Sequence, residues 1–181
     1  PYIRKDGYRN PEWLDYDSPA LKKTIHSVST LALAWFYTAE EKYAKKATEV
    51  LYTWFLDPDT KMNPHLEYGQ AIPGITEGRG IGIIETEGLV KVVNGIELLK
   101  NAEALSSEQY TQLKKWFADY NEWLLTSENG WDERMWHNNH GSAYDFQVST
   151  YAMFTGMDSV ASMMLDSVKV KRIARQIEAD G

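Results

Sequence analysis

Leu21, Ile25, Val28, Ala32 and Trp35 recur at spacings of 4, 3, 4 and 3, the signature of one apolar helix face. Ser18-Pro19, just ahead of them, reads as an N-cap followed by proline at the first helical position. Tyr43, Ala47, Val50 and Trp54 predict a second helix, opened by Thr38-Ala39-Glu40-Glu41 as a capping box and stopped by Asp57-Pro58-Asp59. Leu89, Val93, Ile96 and Leu99 mark a third. A fourth opens at Ser106 with Gln109, carries Tyr110, Leu113, Phe117, Tyr120 and Leu124, and is expected to end at Asn129-Gly130. Tyr144, Val148 and Tyr151 predict a fifth helix ending near Gly156, with shorter ones over 160–167 and 170–177. No segment sustains period-two alternation between turn dipeptides, so strands are at most minor. The pattern predicts an all-α fold of antiparallel helix hairpins.

Two long connections interrupt it, 57–85 and 126–142, and structured loops of that length on a helical scaffold are where sites tend to be found. All six prolines lie in the first 73 residues, and six of the twelve glycines lie between Gly69 and Gly88. At 181 residues, 43% apolar and 25% charged, the chain is expected to form one domain with a true core. Nineteen basic against 26 acidic residues give a net charge of −7. That argues against nucleic acid as a partner and restricts a polyanionic substrate to a locally basic cleft. No apolar run approaches a membrane span, so membrane insertion is not expected. The absence of cysteine removes disulfides, thiolate metal sites and a cysteine nucleophile together. Aromatic residues make up 13% of the chain, enough to fill a core and still offer flat faces to sugar rings.

The second loop reads Trp131-Asp132-Glu133-Arg134-Met135-Trp136-His137-Asn138-Asn139-His140-Gly141-Ser142-Ala143-Tyr144-Asp145. One asparagine is expected to cap the fifth helix, but capping alone does not require Asn-Asn-His. His137 and His140 lie three apart with Asp132, Glu133 and Asp145 nearby, yet the spacing matches no established helical metal motif, and no metal or other cofactor is expected. A serine hydrolase lacks its Gly-x-Ser-x-Gly elbow and the strand that elbow needs. In the first loop, Met62-Asn63-Pro64-His65-Leu66-Glu67-Tyr68-Gly69-Gln70 precedes Gly78-Arg79-Gly80. An arginine between glycines can lie on bare backbone close to a carboxylate ligand, its fork matching the two oxygens. Lys169, Lys171, Arg172 and Arg175 read as a solvated helix face, diluted by Glu178 and Asp180.

Several ordered motifs together resemble the family of alginate lyases and related uronan lyases. They are Pro1-Tyr2-Ile3-Arg4-Lys5-Asp6-Gly7 with Arg9-Asn10-Pro11-Glu12, then Asp57-Pro58, Met62 through Tyr68, Gly78-Arg79-Gly80-Ile81-Gly82-Ile83-Ile84, and Asn138-Asn139-His140-Gly141. The resemblance covers essentially the whole chain. It implies an incomplete (α/α) toroid, a barrel of antiparallel helix hairpins with a cleft along one end. It also implies that residues 1–181 are one domain truncated at both ends, its N-terminal half. The family's catalytic Arg–Tyr segment finds no match here, so the remaining part of the same protein is an expected partner. Family members act in the bacterial periplasm or outside the cell. No signal-peptide pattern occurs in this chain, and an opening at Pro1 suits a processed or trimmed start.

The resemblance implies β-elimination on a 4-linked polyuronate. The C5 proton is a poor acid while the neighbouring carboxylate is ionised, so donors that neutralise that carboxylate stabilise the enolate-like intermediate. Asn139 matches the family's donating amide, a donor at every pH. His140 matches its histidine, which either neutralises the carboxylate or acts as base. Asn63, Tyr68, Gln70, Arg79 and Asn138 are candidate substrate contacts. Tyr144 joins them as the phenol nearest His140 in sequence, although one turn into a helix it is better suited to packing. A catalytically silent fragment, or a polyuronate-binding module of the same fold, is the alternative to a lyase. A helical scaffold for protein partners is a third reading, weakened by the specific motifs.

Overall fold

The computed structural model describes Lys5, Tyr8, residues 10–178 and Asp180. Of the opening motif, Pro1-Tyr2-Ile3-Arg4, Asp6-Gly7 and Arg9 lie outside the described residues. The described residues contain no strand, only an isolated bridge between Ile72 and Thr76. The α-helices are α1 (Asp17–Thr38), α2 (Glu41–Leu51), α3 (Leu89–Leu99), α4 (Ser107–Thr126), α5 (Glu128–Met135), α6 (Asn139–Thr155), α7 (Asp158–Val168) and α8 (Ala174–Gln176). Short 3-10 segments at Pro11–Asp15 and Gly80–Thr86 and π turns at Tyr52–Leu56 and Lys169–Ile173 complete them.

The stripes expected for α1 and α3 lie in the core. The buried face of α2 is instead Ala44, Ala47 and Leu51, rotated from the expected Tyr43, Val50 and Trp54, of which Val50 and Trp54 are only partly buried. Leu21, Ile25, Val28 and Ala32 of α1 pack with Ala44, Ala47 and Leu51 of α2 and with Leu89, Val93, Ile96 and Leu99 of α3. Full burial of each larger apolar side chain contributes about 1.5–3 kcal/mol, so these stripes fix which helix faces meet. Helix α6 runs through the middle, against α3, α4, α5, α7 and Gly80–Thr86. It is therefore buried on several faces, with Tyr144, Gln147, Val148, Tyr151 and Ala152 all inaccessible.

Several boundaries differ from the sequence expectation. Helix α1 begins at Asp17, so Ser18 and Pro19 sit inside its first turn, where the missing proline N–H leaves no intrahelical bond unmade. The capping box at Thr38 does not form. Thr38 ends α1, its hydroxyl donating to Ala34 O (2.7 Å) and accepting from Glu40 N (3.2 Å). The Glu41 carboxylate is drawn away to the Trp35 indole N–H (3.1 Å). The Ser106–Gln109 box does form, with both bonds at 3.1 Å. Asn129-Gly130 does not stop α4. Ser127 does, by capping a new helix, its Oγ accepting from Gly130 N (3.0 Å). The second loop thus contains α5. Arg172, expected on a solvated face, is buried because Asp145 draws it inward.

Candidate functional site

Helix α5 ends at Trp136, and the chain turns at His137 into α6. Asn138 is the cap of α6, its side-chain oxygen accepting from His140 N (3.0 Å). That places Asn139 and His140 at the first two helical positions. There the N–H groups that Asn138 does not cap and the positive end of a 17-residue helix favour an anionic ligand. Asn139 is exposed. The side chain of His140 is 22% exposed, and its Nδ1 lies 2.9 and 3.1 Å from the two oxygens of Glu133. With Nδ1 committed, Nε2 is the ring nitrogen left for a ligand. Trp136, partly exposed, places its ring centroid 6.2 Å from the imidazole.

Glu133 is wholly buried. Burial pushes its carboxyl above the ordinary value; the bond to His140 and the imidazole's charge oppose this, and Asp132 adds to it.

A second buried pair holds the turn in place. Arg172 donates Nε to Asp145 Oδ2 (2.7 Å) and Nη2 to Asp145 Oδ1 (2.8 Å). Two further hydrogens go to the C-terminal carbonyls of α5, one from Nη1 to Trp136 O (2.6 Å) and one from Nη2 to Arg134 O (2.9 Å). Gly141 makes room for this clamp: a Cβ there would lie 1.9 Å from Trp136 O and 2.2 Å from Arg172 Nη1. Gln176 Nε2 closes the other side on Asn138 O (3.1 Å).

Tyr144 is not a substrate contact. It is wholly buried, and its hydroxyl donates to Leu124 O (2.8 Å), tying α6 to the end of α4. Burial pushes its phenol up to about 12.

The first loop is anchored by Trp116 Nε1 on Met62 O (2.8 Å), leaving Asn63 and Tyr68 exposed. Arg79 and Gln70 are brought together: Arg79 Nε donates to Gln70 O (3.1 Å) and Nη2 to Gln70 Oε1 (3.3 Å). The glycines beside Arg79 serve protein contacts rather than an open ligand face. A Cβ on Gly78 would lie 1.7 Å from Glu67 O, and one on Gly80 would lie 2.5 Å from Asp132 Oδ2. Asn129 Nδ2 also donates to Glu67 O (3.3 Å), so the first loop is fastened to α5.

The predicted residues therefore fall into two groups joined through α5: Asn138, Asn139 and His140 at its C-terminal side, and Arg79 with Gln70 beyond Gly80. Glu133, Asp145 and Arg172 complete the site but were legible only as metal candidates or as a surface charge run. Among the described residues no three His, Asp or Glu side chains converge on a metal position. Glu133 is engaged by His140 and Asp145 by Arg172.

A family model described as alginate lyase matches residues 1–181. The crystal structure of an alginate lyase from Bacteroides ovatus superposes with a TM-score of 0.97 at 43% sequence identity. The match covers 100% of this chain and 48% of that one, so the chain spans about half the length of the protein it resembles. No curated protein matches. The architecture is an all-α, incomplete (α/α) toroid of helix hairpins.

Proposed function

The chain belongs to the alginate lyase family, and from that premise we propose that it supplies the carboxylate-binding part of a lyase that cleaves a 4-linked polyuronate by β-elimination. The observation that carries this reading is the exposed Asn139 amide beside His140 at the N-terminus of α6. A uronate carboxylate seated there receives the amide N–H, the helix-end N–H groups and the imidazole. Those donors stabilise the charge that builds on the carboxylate as the C5 proton leaves. A base takes the C5 proton, the C5–H electron pair becomes the C4–C5 double bond, and the C4–O4 pair leaves on O4, which an acid protonates. The new chain end is an unsaturated uronate.

Arg79 and Gln70, Asn63, Tyr68 and the remaining amide hydrogens of Asn138 are proposed to contact neighbouring sugars. Mannuronan, alginate and glucuronan share the features this site reads. No helix among the described residues is long and apolar enough to cross a membrane, and a periplasmic or secreted location is proposed from the substrate class.

Incubation with polymannuronate, alginate or glucuronan, followed by ultraviolet absorbance of the unsaturated end, tests the reading. Absorbance that grows with time is expected from the lyase that contains this chain. Binding of these polymers without absorbance identifies a silent polyuronate-binding module instead.

A further inference from the structure

Glu133 stands out once α5 and α6 are both in place. It is inaccessible to solvent, and each of its oxygens has His140 Nδ1 as its hydrogen-bond partner. Burying a carboxylate is costly unless a donor or cation meets it. Among the described residues, the charged groups acting on it are His140 and the acidic Asp132. Asp132 on the same helix is acidic, and Arg134 places its guanidinium over the Trp131 ring at 5.8 Å. From α4 the neighbour is the Tyr120 phenol, whose hydroxyl lies 2.7 Å from Thr86 Oγ1 in the Thr86–Gln147 network. On Gly80–Thr86, Glu85 turns to Lys22 (3.5 Å). The imidazole is what meets the buried charge.

We propose that Glu133 is a positioning residue: its carboxylate accepts the Nδ1 proton of His140, so that Nε2 is the nitrogen presented to the ligand. The geometry favours this direction of the bond. Nδ1 is nearly equidistant from the two oxygens, at 2.9 and 3.1 Å, as one N–H shared by an ionised carboxylate would be. A neutral carboxyl aiming one O–H at the ring would leave its carbonyl oxygen facing a nitrogen lone pair at the same range. The arrangement parallels the carboxylate–histidine pairs that fix ring tautomers elsewhere in proteins. The cap on Asn138 and the clamp of Arg172 hold the backbone on either side, leaving Glu133 to set the ring. This bears on catalysis only if His140 acts as proposed above, but the tautomer does not depend on that reading.

Nitrogen-15 spectra of the imidazole side chains in the protein test it, with His140→Gln assigning the signal among the four histidines. At a pH where the ring is neutral, the expected signal is a protonated Nδ1 and an unprotonated Nε2. Glu133→Gln keeps an oxygen for that N–H but loses the charge. It should preserve the tautomer, because the amide oxygen can still accept the Nδ1 proton. Glu133→Ala, where it folds, should let the Nε2–H form appear. An Nε2–H ring in the native protein overturns the proposal, as does an Nε2–H ring in Glu133→Gln. Where the polymers give no unsaturated product, these spectra still decide the role of Glu133, so failure of the lyase reading and failure of the positioning role are separately visible.

Discussion

At the scale of single residues, the asymmetry between Asn139 and Arg79 is informative. Asn139 is exposed at a helix end and has little to hold in the free protein, so its removal should leave the fold intact. If it donates to a carboxylate whose charge grows along the reaction, Asn139→Ala should lower turnover about 100-fold or more with a smaller change in KM. His140→Ala should behave likewise. Arg79 is already partnered with Gln70, which limits what it can add in the transition state. Arg79→Ala is expected mainly to raise KM and to loosen the loop around Gln70. Steady-state kinetics on a uronan of defined length, with circular dichroism as the fold check, separates the two patterns. Near-normal turnover in both the Asn139 and His140 variants would sink the assignment of this turn to catalysis.

At the scale of elements, the turn between α5 and α6 is held by the Arg172–Asp145 pair more than by its own sequence. Both side chains are buried, at 6% and 5% exposure. Arg172→Ala leaves the Asp145 carboxylate buried without its cation and strips two carbonyl caps from α5, a loss of about 3–5 kcal/mol for a buried pair broken on one side. Replacing both, as Arg172→Met with Asp145→Asn, should cost clearly less. Urea denaturation of the two variants measures this difference. A single-variant loss below about 1 kcal/mol would mean that water reaches Asp145. The same turn shows why the second loop was only half legible. Asn138 as a cap follows from residue type, and the α6 start follows with it. Helix α5 does not, because Asn129-Gly130 carries a local stop signal. That signal is overridden when Ser127 caps the next helix and the 80–86 segment packs against it.

At the scale of the whole molecule, α4, α6 and Gly80–Thr86 are joined by a buried polar network. The Tyr120 hydroxyl lies 2.7 Å from Thr86 Oγ1, which in turn lies 2.8 Å from Gln147 Oε1, and Tyr151 donates to the same amide oxygen (3.3 Å). Burial raises the phenols of both Tyr120 and Tyr151. Tyr144 and Tyr110 are pushed from 10 up to about 12, both by burial first, and Tyr110 also by its bond to Glu97. A phenol whose folded value is raised favours the folded state fully below its unfolded value and loses that contribution as the pH climbs through the folded one. Stability should therefore hold up to about pH 10 and fall between 10 and 12, with phenolate absorbance appearing together with unfolding. Tyr144→Phe, which cannot ionise, should flatten part of that fall in a series of thermal melts across alkaline pH. An alkaline limb identical to the native one would show that other groups govern it.

Periodicity alone determined the helices that form the frame, because apolar residues at 3–4 spacing can be buried in only one way along a helix. Leu21 to Ala32, Leu89 to Leu99, Tyr110 to Leu124 and Tyr144 to Tyr151 all face the core as their spacing demands. The motif strings likewise pointed to the family and to Asn139 and His140. Tertiary structure decided what those strings cannot encode locally. It put Thr38 at the end of a helix because Glu41 found Trp35. It drew Arg172 inside because Asp145, 27 residues earlier, waits there. It turned Tyr144 from a candidate contact into a buried tie to Leu124. And it brought Glu133 to His140 across the turn between two helices, one of which the sequence did not announce. A charge's surroundings depend on residues distant along the chain, and a spacing rule sees only its neighbours.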